Sequence, residues 1–435
     1  MHKKNLTIVL STIFLDVLGY SLLIPVLPLI LLTPASSFYL FPTNFDYSQA
    51  VLIYGLLIGI FPVFSFYFAP ILGQLSDKYG RRKVLLGTLT GTTLAYGMLA
   101  VGILFRNLPL IFLSRILGGI FGGNISVANT VISDISTEKN KSRNFGWSVA
   151  GYGLGVILGS YFGGQLSNSN LVSWFNVTTP FWFAAVITFI NLLLAIPFLT
   201  ETNYHIHPNK IINTHSTIQK TFMAMIRRSN FQNILLISFL FQSGFSFITT
   251  FASPYFVNKF NWDSAANGNF FGYVGIWVAI TQLFIVGQLS KFWSPSKALR
   301  ISLFATAISI LALFIPTNTM GLYIIVPLFA VFSSIAITNI FTLVSGSTDK
   351  NNQGEVIGIN SGLQSLAQAL PPIFSGLVSF GAGEVLGLFK VDIAKTTLIL
   401  PIILAFSTVL LASYLFRVKE GSTSNEVALI KKVSS

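Results

Sequence analysis

The sequence predicts an all-α membrane protein of twelve transmembrane helices, arranged as two pseudo-symmetric six-helix bundles. Three observations carry this. Apolar runs of about twenty residues or more recur along the whole 435-residue chain, only 9% of residues are charged, and a polar loop of the first half is echoed in the second. A soluble domain carries roughly 25% charged residues, and a water-facing surface cannot be assembled from so few. Each run is long enough to cross about 30 Å of hydrocarbon as a helix. Most lack the alternation of barrel strands, and in lipid every backbone amide must bond within the protein, which leaves helices.

In chain order, the first six spans are expected at Leu6–Leu32, Ala50–Leu72, Val84–Phe105, Pro109–Ser133, Phe145–Leu166 and Thr178–Leu199. The second six are expected at Phe231–Val257, Asn267–Ser290, Ala298–Ile315, Met320–Val344, Glu355–Phe380 and Thr396–Phe416. The domains are therefore an N-terminal bundle over 1–199, a central cytoplasmic loop over 200–230, a C-terminal bundle over 231–417 and a tail over 418–435. The first run is too long for a signal-peptide core and has no convincing small-residue cleavage site, so it reads as a retained first helix.

The net charge of +13 would suggest nucleic acid in a soluble protein. Here its distribution follows topology. With the N-terminus in the cytoplasm, only Arg106, Lys259, Lys390 and Lys395 fall outside, Arg115 lies within span four, and every other Lys and Arg falls inside. Positively charged loops stay on the cytoplasmic face, so both termini are expected there, in a bacterial inner membrane. No nucleic-acid partner is implied, and a monomer is expected.

The two halves echo each other. Gly73-Gln-Leu-Ser-Asp-Lys-Tyr-Gly-Arg-Arg-Lys-Val-Leu-Leu86 recurs as Gly287-Gln-Leu-Ser-Lys-Phe-Trp-Ser-Pro-Ser-Lys-Ala-Leu-Arg300, each after the second span of its half. Ser136-Thr-Glu-Lys-Asn140 recurs as Ser347-Thr-Asp-Lys-Asn351. Two parallel six-span repeats are an arrangement of secondary transporters, whose substrate site lies near the midplane. There is no phosphate-binding loop for ATP and no cysteine for a disulfide, thiolate metal site or nucleophile. His205, His207 and His215 read as surface residues of the central loop. No cofactor or metal is expected, and the chain does not read as an enzyme.

Asp16 is the sharpest single clue, because the other acidic residues lie at span ends, in loops or in the tail. A carboxylate in the membrane interior is costly when charged and is usually functional, so proton coupling leads. Arg115, inside span four, needs a partner or an aqueous cavity, and Asp16 is the expected partner. In the loop after span two, Asp77 stands beside Gly80, Arg81, Arg82 and Lys83. The basic residues set topology, whereas the acid and the glycines suggest a gating latch. Asn360, Gln364 and Gln368 recur every four residues as a polar stripe, which either lines a cavity or bonds to neighbouring helices. Asn124, Gln242, Gln282 and Asn339 are further candidates to line a cavity.

These residues resemble the major facilitator superfamily, and within it the tetracycline-resistance-like branch of drug/proton antiporters. The run from Gly73 to Lys83 is similar to the superfamily's signature loop. The resemblance implies that Gly73, Asp77, Gly80, Arg81 and Arg82 latch the outward-facing state, with Asp134 as ionic partner of the loop's arginine. The run from Leu15 to Pro28, with Asp16, Gly19, Pro25 and Pro28, resembles the branch's first-span motif. Arg115-Ile-Leu-Gly-Gly119 resembles the span-four motif linked to proton transfer. Span five departs, with Gly159-Ser160 where antiporters of the family typically carry Gly-Pro. The expected function is proton-coupled transport of a small organic solute by alternating access, with drug or metabolite efflux leading. Proton-coupled import of a nutrient or siderophore and a non-transporting sensor are the alternatives.

Overall fold

A computed structural model describes residues 2–42, 44–137, 141–203, 229–346, 353–388 and 401–416. Most of the central loop, its three histidines, the C-terminal tail, and Ser347–Asn351 of the second repeat lie outside the described residues. Among the described residues all regular structure is helical. Nine helices there are long and apolar enough to cross a membrane.

Span one is two helices, α1 (His2–Ser21) and α2 (Leu23–Leu31). Proline has no amide to donate to the carbonyl four residues back, so Pro25 interrupts the ladder at Ser21 and Pro28 frees the carbonyl of Ile24. Spans two and three are α3 (Tyr47–Tyr79) and α4 (Arg81–Leu104), separated by Gly80 alone. Asp46 caps α3 by accepting from the Ser48 amide at 3.1 Å, which satisfies one of the orphan donors at a helix start. Span four is α5 (Leu108–Gly122) and α6 (Asn124–Asp134), and Asn107 caps α5 by accepting from Leu110 at 3.0 Å. Gly123 makes the turn between them. A side chain there would stand 2.8 Å from the Ala69 Cα, so only glycine lets α3 approach this closely.

Span five is α7 (Lys141–Gln165) and span six is α8 (Thr179–Phe198). α7 is less apolar than its neighbours but packs intimately on span one. A side chain at Gly155, Gly159 or Gly163 would collide with the backbone of Phe14, Leu18 or Leu22, a small-residue contact typical of membrane bundles. α8 turns Val186, Phe189, Ile190, Leu193 and Leu194 outward, all about half exposed. A contiguous apolar face of this kind is what lipid, rather than water, solvates.

The second half begins with α9 (Ser229–Phe260) and α10 (Ser264–Ile280), followed by a π-helical turn at Thr281–Ile285 and α11 (Val286–Phe292). Next come α12 (Pro295–Ala312), α13 (Thr319–Gly346), α14 (Gln353–Leu388) and α15 (Pro401–Phe416). Ser294 caps α12 through the Lys297 amide, with Pro295 in the first turn, where its missing amide costs nothing.

The described residues form two compact units. The first draws on Met1–Lys220, Thr249–Ile276 and Pro372–Leu398, the second on Thr221–Ile248, Trp277–Pro371 and Ile399–Ser435. Within the first unit, one buried cluster around Leu22, Val26, Tyr54, Leu99 and Phe251 fills the half near α2, and another around Val9, Leu85, Val131 and Ala195 fills the half near Gly80. Within the second, Gly244 packs against Ala405 and Val409, and Phe245 stacks on Phe329 at 6.0 Å.

Candidate functional site

The first unit holds two polar centres, one buried in the bundle and one at the end carrying Gly80. Asp16 lies on α1, deeply buried, and among the described residues neither carboxyl oxygen has a close hydrogen-bond partner. The Tyr96 hydroxyl, from α4, donates to the Asp16 backbone carbonyl at 3.2 Å. It fills the space above Gly19, where any side chain would overlap its ring. Asn124, at the start of α6, turns its amide toward the carboxyl. That amide is completely buried, and neither its oxygen nor its nitrogen makes a hydrogen bond.

Arg115 is also buried, and here the structure corrects an expectation: no ion pair joins it to Asp16. Its guanidinium lies 4.6 Å from the centre of the Phe61 ring and 5.6 Å from that of Tyr20. Tyr20 stands one turn beyond Asp16 on α1, so its ring meets the guanidinium where the carboxyl was expected to. The electron-rich ring faces attract the cation without costing the desolvation of a carboxylate. Tyr20, Leu23, Ile24, Tyr54, Ile58, Arg115, Thr249 and Thr250 line a small cavity of about 60 Å³ beside it.

At the Gly80 end, Arg81 is the hub. Its guanidinium pairs with Asp77 at 2.6 Å and with Asp134 at 3.2 Å, and also bonds Ser76. The end of α3, the start of α4 and the end of α6 are thereby drawn together. Arg82 points elsewhere and donates to the Ile196 carbonyl of α8 at 2.7 Å. Gly80 has φ +98°, a conformation that side-chain-bearing residues avoid. Gly73 is different: a side chain there would meet nothing closer than 3.9 Å, so close approach does not demand glycine.

Sequence reading missed Glu201, which follows span six. Its carboxylate accepts from the Arg81 and Arg82 amides at 2.9 and 3.2 Å, capping α4 where a helix presents unpaired donors and partial positive charge. Thr202 then donates to Asp134 at 3.3 Å, and Asn203 to the Asp77 carbonyl at 3.2 Å. The available signal was an acid ending span six on the same face as three consecutive basic residues. Tyr20, Phe61 and Tyr96 were missed because aromatic residues are too numerous here for any one to stand out.

The Major Facilitator Superfamily model matches residues 9–372, and again 234–432. The chain belongs to the Major Facilitator Superfamily. As a member it is a membrane transporter rather than an enzyme, and its relatives fall in the tetracycline-resistance-like branch. It is 28% identical over 388 residues to the class G tetracycline resistance protein of Vibrio anguillarum, covering 88% of this chain and 92% of that protein. It is 26% identical to the quinolone resistance protein NorA of Staphylococcus aureus (strain COL), covering 86% and 89%. A bacterial homolog of the human lysosomal transporter Spinster, in an inward-facing and unoccupied conformation, shares its fold with a TM-score of 0.75. Identity there is 14%, over 95% of this chain and 96% of that one.

In this superfamily member the remaining polar candidates are bound up in helix contacts to different degrees. Gln282 donates to Ser334 and Thr338 of α13, both at 2.8 Å, from within the π-helical turn. Asn360 accepts from Ser238 at 2.8 Å, and Asn339 donates to its own helix at Ile335. Ser246 donates to the Gln368 carbonyl at 3.2 Å. These bonds join helices or stay within one, whereas Gln242 and Gln364 are half-buried on α9 and α14. At the α2 end of the first unit, the carbonyl that Pro28 frees, that of Ile24, accepts from Ser253 of α9 at 3.0 Å. The Tyr54 hydroxyl donates to the Thr250 carbonyl at 2.8 Å, and Gly164 of α7 meets the backbone of Ser264 and Gly268.

Proposed function

We propose that this chain is a proton-coupled efflux antiporter for drug-like organic solutes, working as a monomer by alternating access in a bacterial inner membrane with both termini in the cytoplasm. The observation that carries the reading is Asp16, an acid buried in the first span with, among the described residues, neither oxygen closely hydrogen-bonded and no counter-ion paired to it. Ionising such a group in apolar surroundings costs several kcal/mol. A conformation that wets it, or swings it to Arg115, therefore changes whether it holds a proton. Alternating access then links proton release to reorientation.

The cargo reading rests on the adjoining cavity and on the relatives' names. The cavity is too small for a drug as it stands, but its lining of two tyrosines, three aliphatic residues, two threonines and one guanidinium would suit a planar aromatic solute with acidic or carbonyl oxygens once the helices separate, as tetracyclines and quinolones are. The Asp77–Arg81–Asp134 cluster, shaped by Gly80, with Gly73 and Arg82 on either side, acts as the latch that must release during the cycle. The contacts of Ile24, Tyr54 and Gly164 at the other end must part in its alternate phase. Asn124, Gln242, Gln282, Asn339, Asn360 and Gln364 become cavity-lining candidates only as helices separate. Ser160, where antiporters carry proline, favours proton-coupled import as the second reading.

Everted vesicles with an acidic lumen test the proposal. Adding a tetracycline or a quinolone should drive drug inward and protons outward. Asp16→Asn should abolish proton-driven accumulation while leaving downhill exchange. If Asp16→Asn accumulates drug normally, Asp16 does not couple; if solute and protons move in the same direction, import replaces export. Absence of any flux across a broad solute screen would favour a sensor.

A further inference from the structure

We propose that Asn124 is a positioning residue that reads the protonation state of Asp16, and that α6 carries the reading to the Arg81–Asp134 pair. The inference rests on Asp16 being the coupling acid. α6 is eleven residues long, begins at Asn124 and ends at Asp134. One end of a single rigid segment thus faces the buried acid, and the other is a member of the latch.

At the buried end, the Asn124 amide interacts with the Asp16 carboxyl, and among the described residues none of their four side-chain polar atoms makes a close hydrogen bond. α1 packs directly on α6. A carboxylate wants a donor, whereas a carboxylic acid has a proton to give and wants an acceptor. A primary amide offers both, through Nδ2 and Oδ1, and exchanges them by turning about its last torsion. Of the other polar groups, the Tyr96 hydroxyl of α4 is committed to the Asp16 backbone and the Arg115 guanidinium of α5 lies on the rings of Tyr20 and Phe61, while the buried Thr188 hydroxyl of α8 lacks a hydrogen bond among the described residues but cannot, unlike an amide, offer separate donor and acceptor atoms. α7 brings Tyr152 near Tyr20, while α2 and α8 carry no ionisable side chain. Asn124 is the group through which a change at the carboxyl is passed on.

α6 is free to respond because the helix ladder is interrupted immediately before it. The Gly123 amide bonds back to the Phe121 carbonyl instead of continuing the α pattern. Gly123 also rests against Ala69 of α3, which supplies a pivot. At a rise of 1.5 Å per residue, a tilt of about 5° at this pivot displaces the Asp134 end by about 1.4 Å. That is enough to open the Arg81–Asp134 contact, which stands at 3.2 Å, and the Thr202–Asp134 bond at 3.3 Å.

The chain has no cysteine, so a spin-label pair at Tyr79→Cys and Thr137→Cys reports the distance between the ends of α3 and α6 without background. In the full-length protein in lipid nanodiscs, pulsed EPR from about pH 5 to pH 9 should show that distance shifting by about 1.4 Å. Asp16→Asn and Asn124→Leu should each abolish the shift. Asn124→Ser, whose hydroxyl also donates and accepts, should keep it with a midpoint moved by at least about half a pH unit. A shift that persists in Asp16→Asn overturns the coupling reading itself. A shift lost in Asp16→Asn but unchanged in Asn124→Leu leaves Asp16 as the coupling acid and overturns the role of Asn124. No shift in the parent overturns the lever, and should Asn124→Leu fail to fold, an unmoved midpoint in Asn124→Ser does the same.

Discussion

Replacing Gly80 by alanine isolates what the latch turn costs. At φ +98° and ψ 148°, Gly80 occupies a region essentially closed to other residues, and forcing a side chain there costs about 1–3 kcal/mol. The new methyl would also stand 2.4 Å from the Glu201 Oε2. That oxygen ends a flexible side chain, so the clash is relieved by Glu201 swinging away, which forfeits its cap on the Arg81 and Arg82 amides. Losing such a cap costs about 1 kcal/mol. Gly80→Ala should therefore destabilise by about 2–4 kcal/mol, and Glu201→Ala alone by about 1 kcal/mol. In the double variant the cap is lost only once, so the two effects should fall short of additive by about 1 kcal/mol. Reversible unfolding in mixed detergent micelles, run on all four members of the cycle, measures this. A Gly80→Ala protein as stable as the parent, or strictly additive variants, would refute the account of the turn.

Three further outcomes are expected. Asp77→Asn should slow transport several-fold without loss of membrane expression, since it weakens the Arg81 pairing at 2.6 Å; unchanged vesicle kinetics would reduce the cluster to a topology signal. Arg115→Lys keeps the charge but loses the flat guanidinium that lies on Tyr20 and Phe61, so drug flux should fall at least about tenfold, equivalent to 1.4 kcal/mol; a fully active lysine variant would show that charge alone suffices. Gly164→Ala should impair folding or transport, because its new methyl would meet the backbone of Ser264 and Gly268 at 2.4 and 2.8 Å, whereas Gly153→Ala, with open space around it, should be tolerated. Equal thermal stability of these two variants would contradict the close-packing argument.

The spans were legible because lipid imposes a rule that acts along the chain. A helix must be long, apolar and internally hydrogen-bonded whatever its neighbours do, so runs such as Ala50–Leu72 and Thr178–Leu199 announce themselves. Span one reads in sequence as a single run, Leu6–Leu32, although its prolines break the helix ladder by local chemistry alone. The consequence of that break did not follow from sequence, since the carbonyl freed by Pro28 is taken by Ser253, 229 residues away. Span counting likewise brought Asp16 and Arg115 into the same bundle, but rotation about the helix axes placed two aromatic faces against the cation.

By itself the sequence determined that the chain is helical and membrane-embedded, that its halves echo each other, and that Asp16, Arg115 and the Asp77–Arg82 loop stand apart from the apolar background. Only the tertiary structure decided which groups meet. It seated Arg115 on rings, set Asn124 opposite Asp16, made Gln282 and Asn360 helix-to-helix ties, and brought Glu201 from beyond span six to hold the turn at Gly80. The physical reason is that burial in lipid depends on local composition, whereas a hydrogen bond depends on the mutual rotation and depth of helices far apart in the chain.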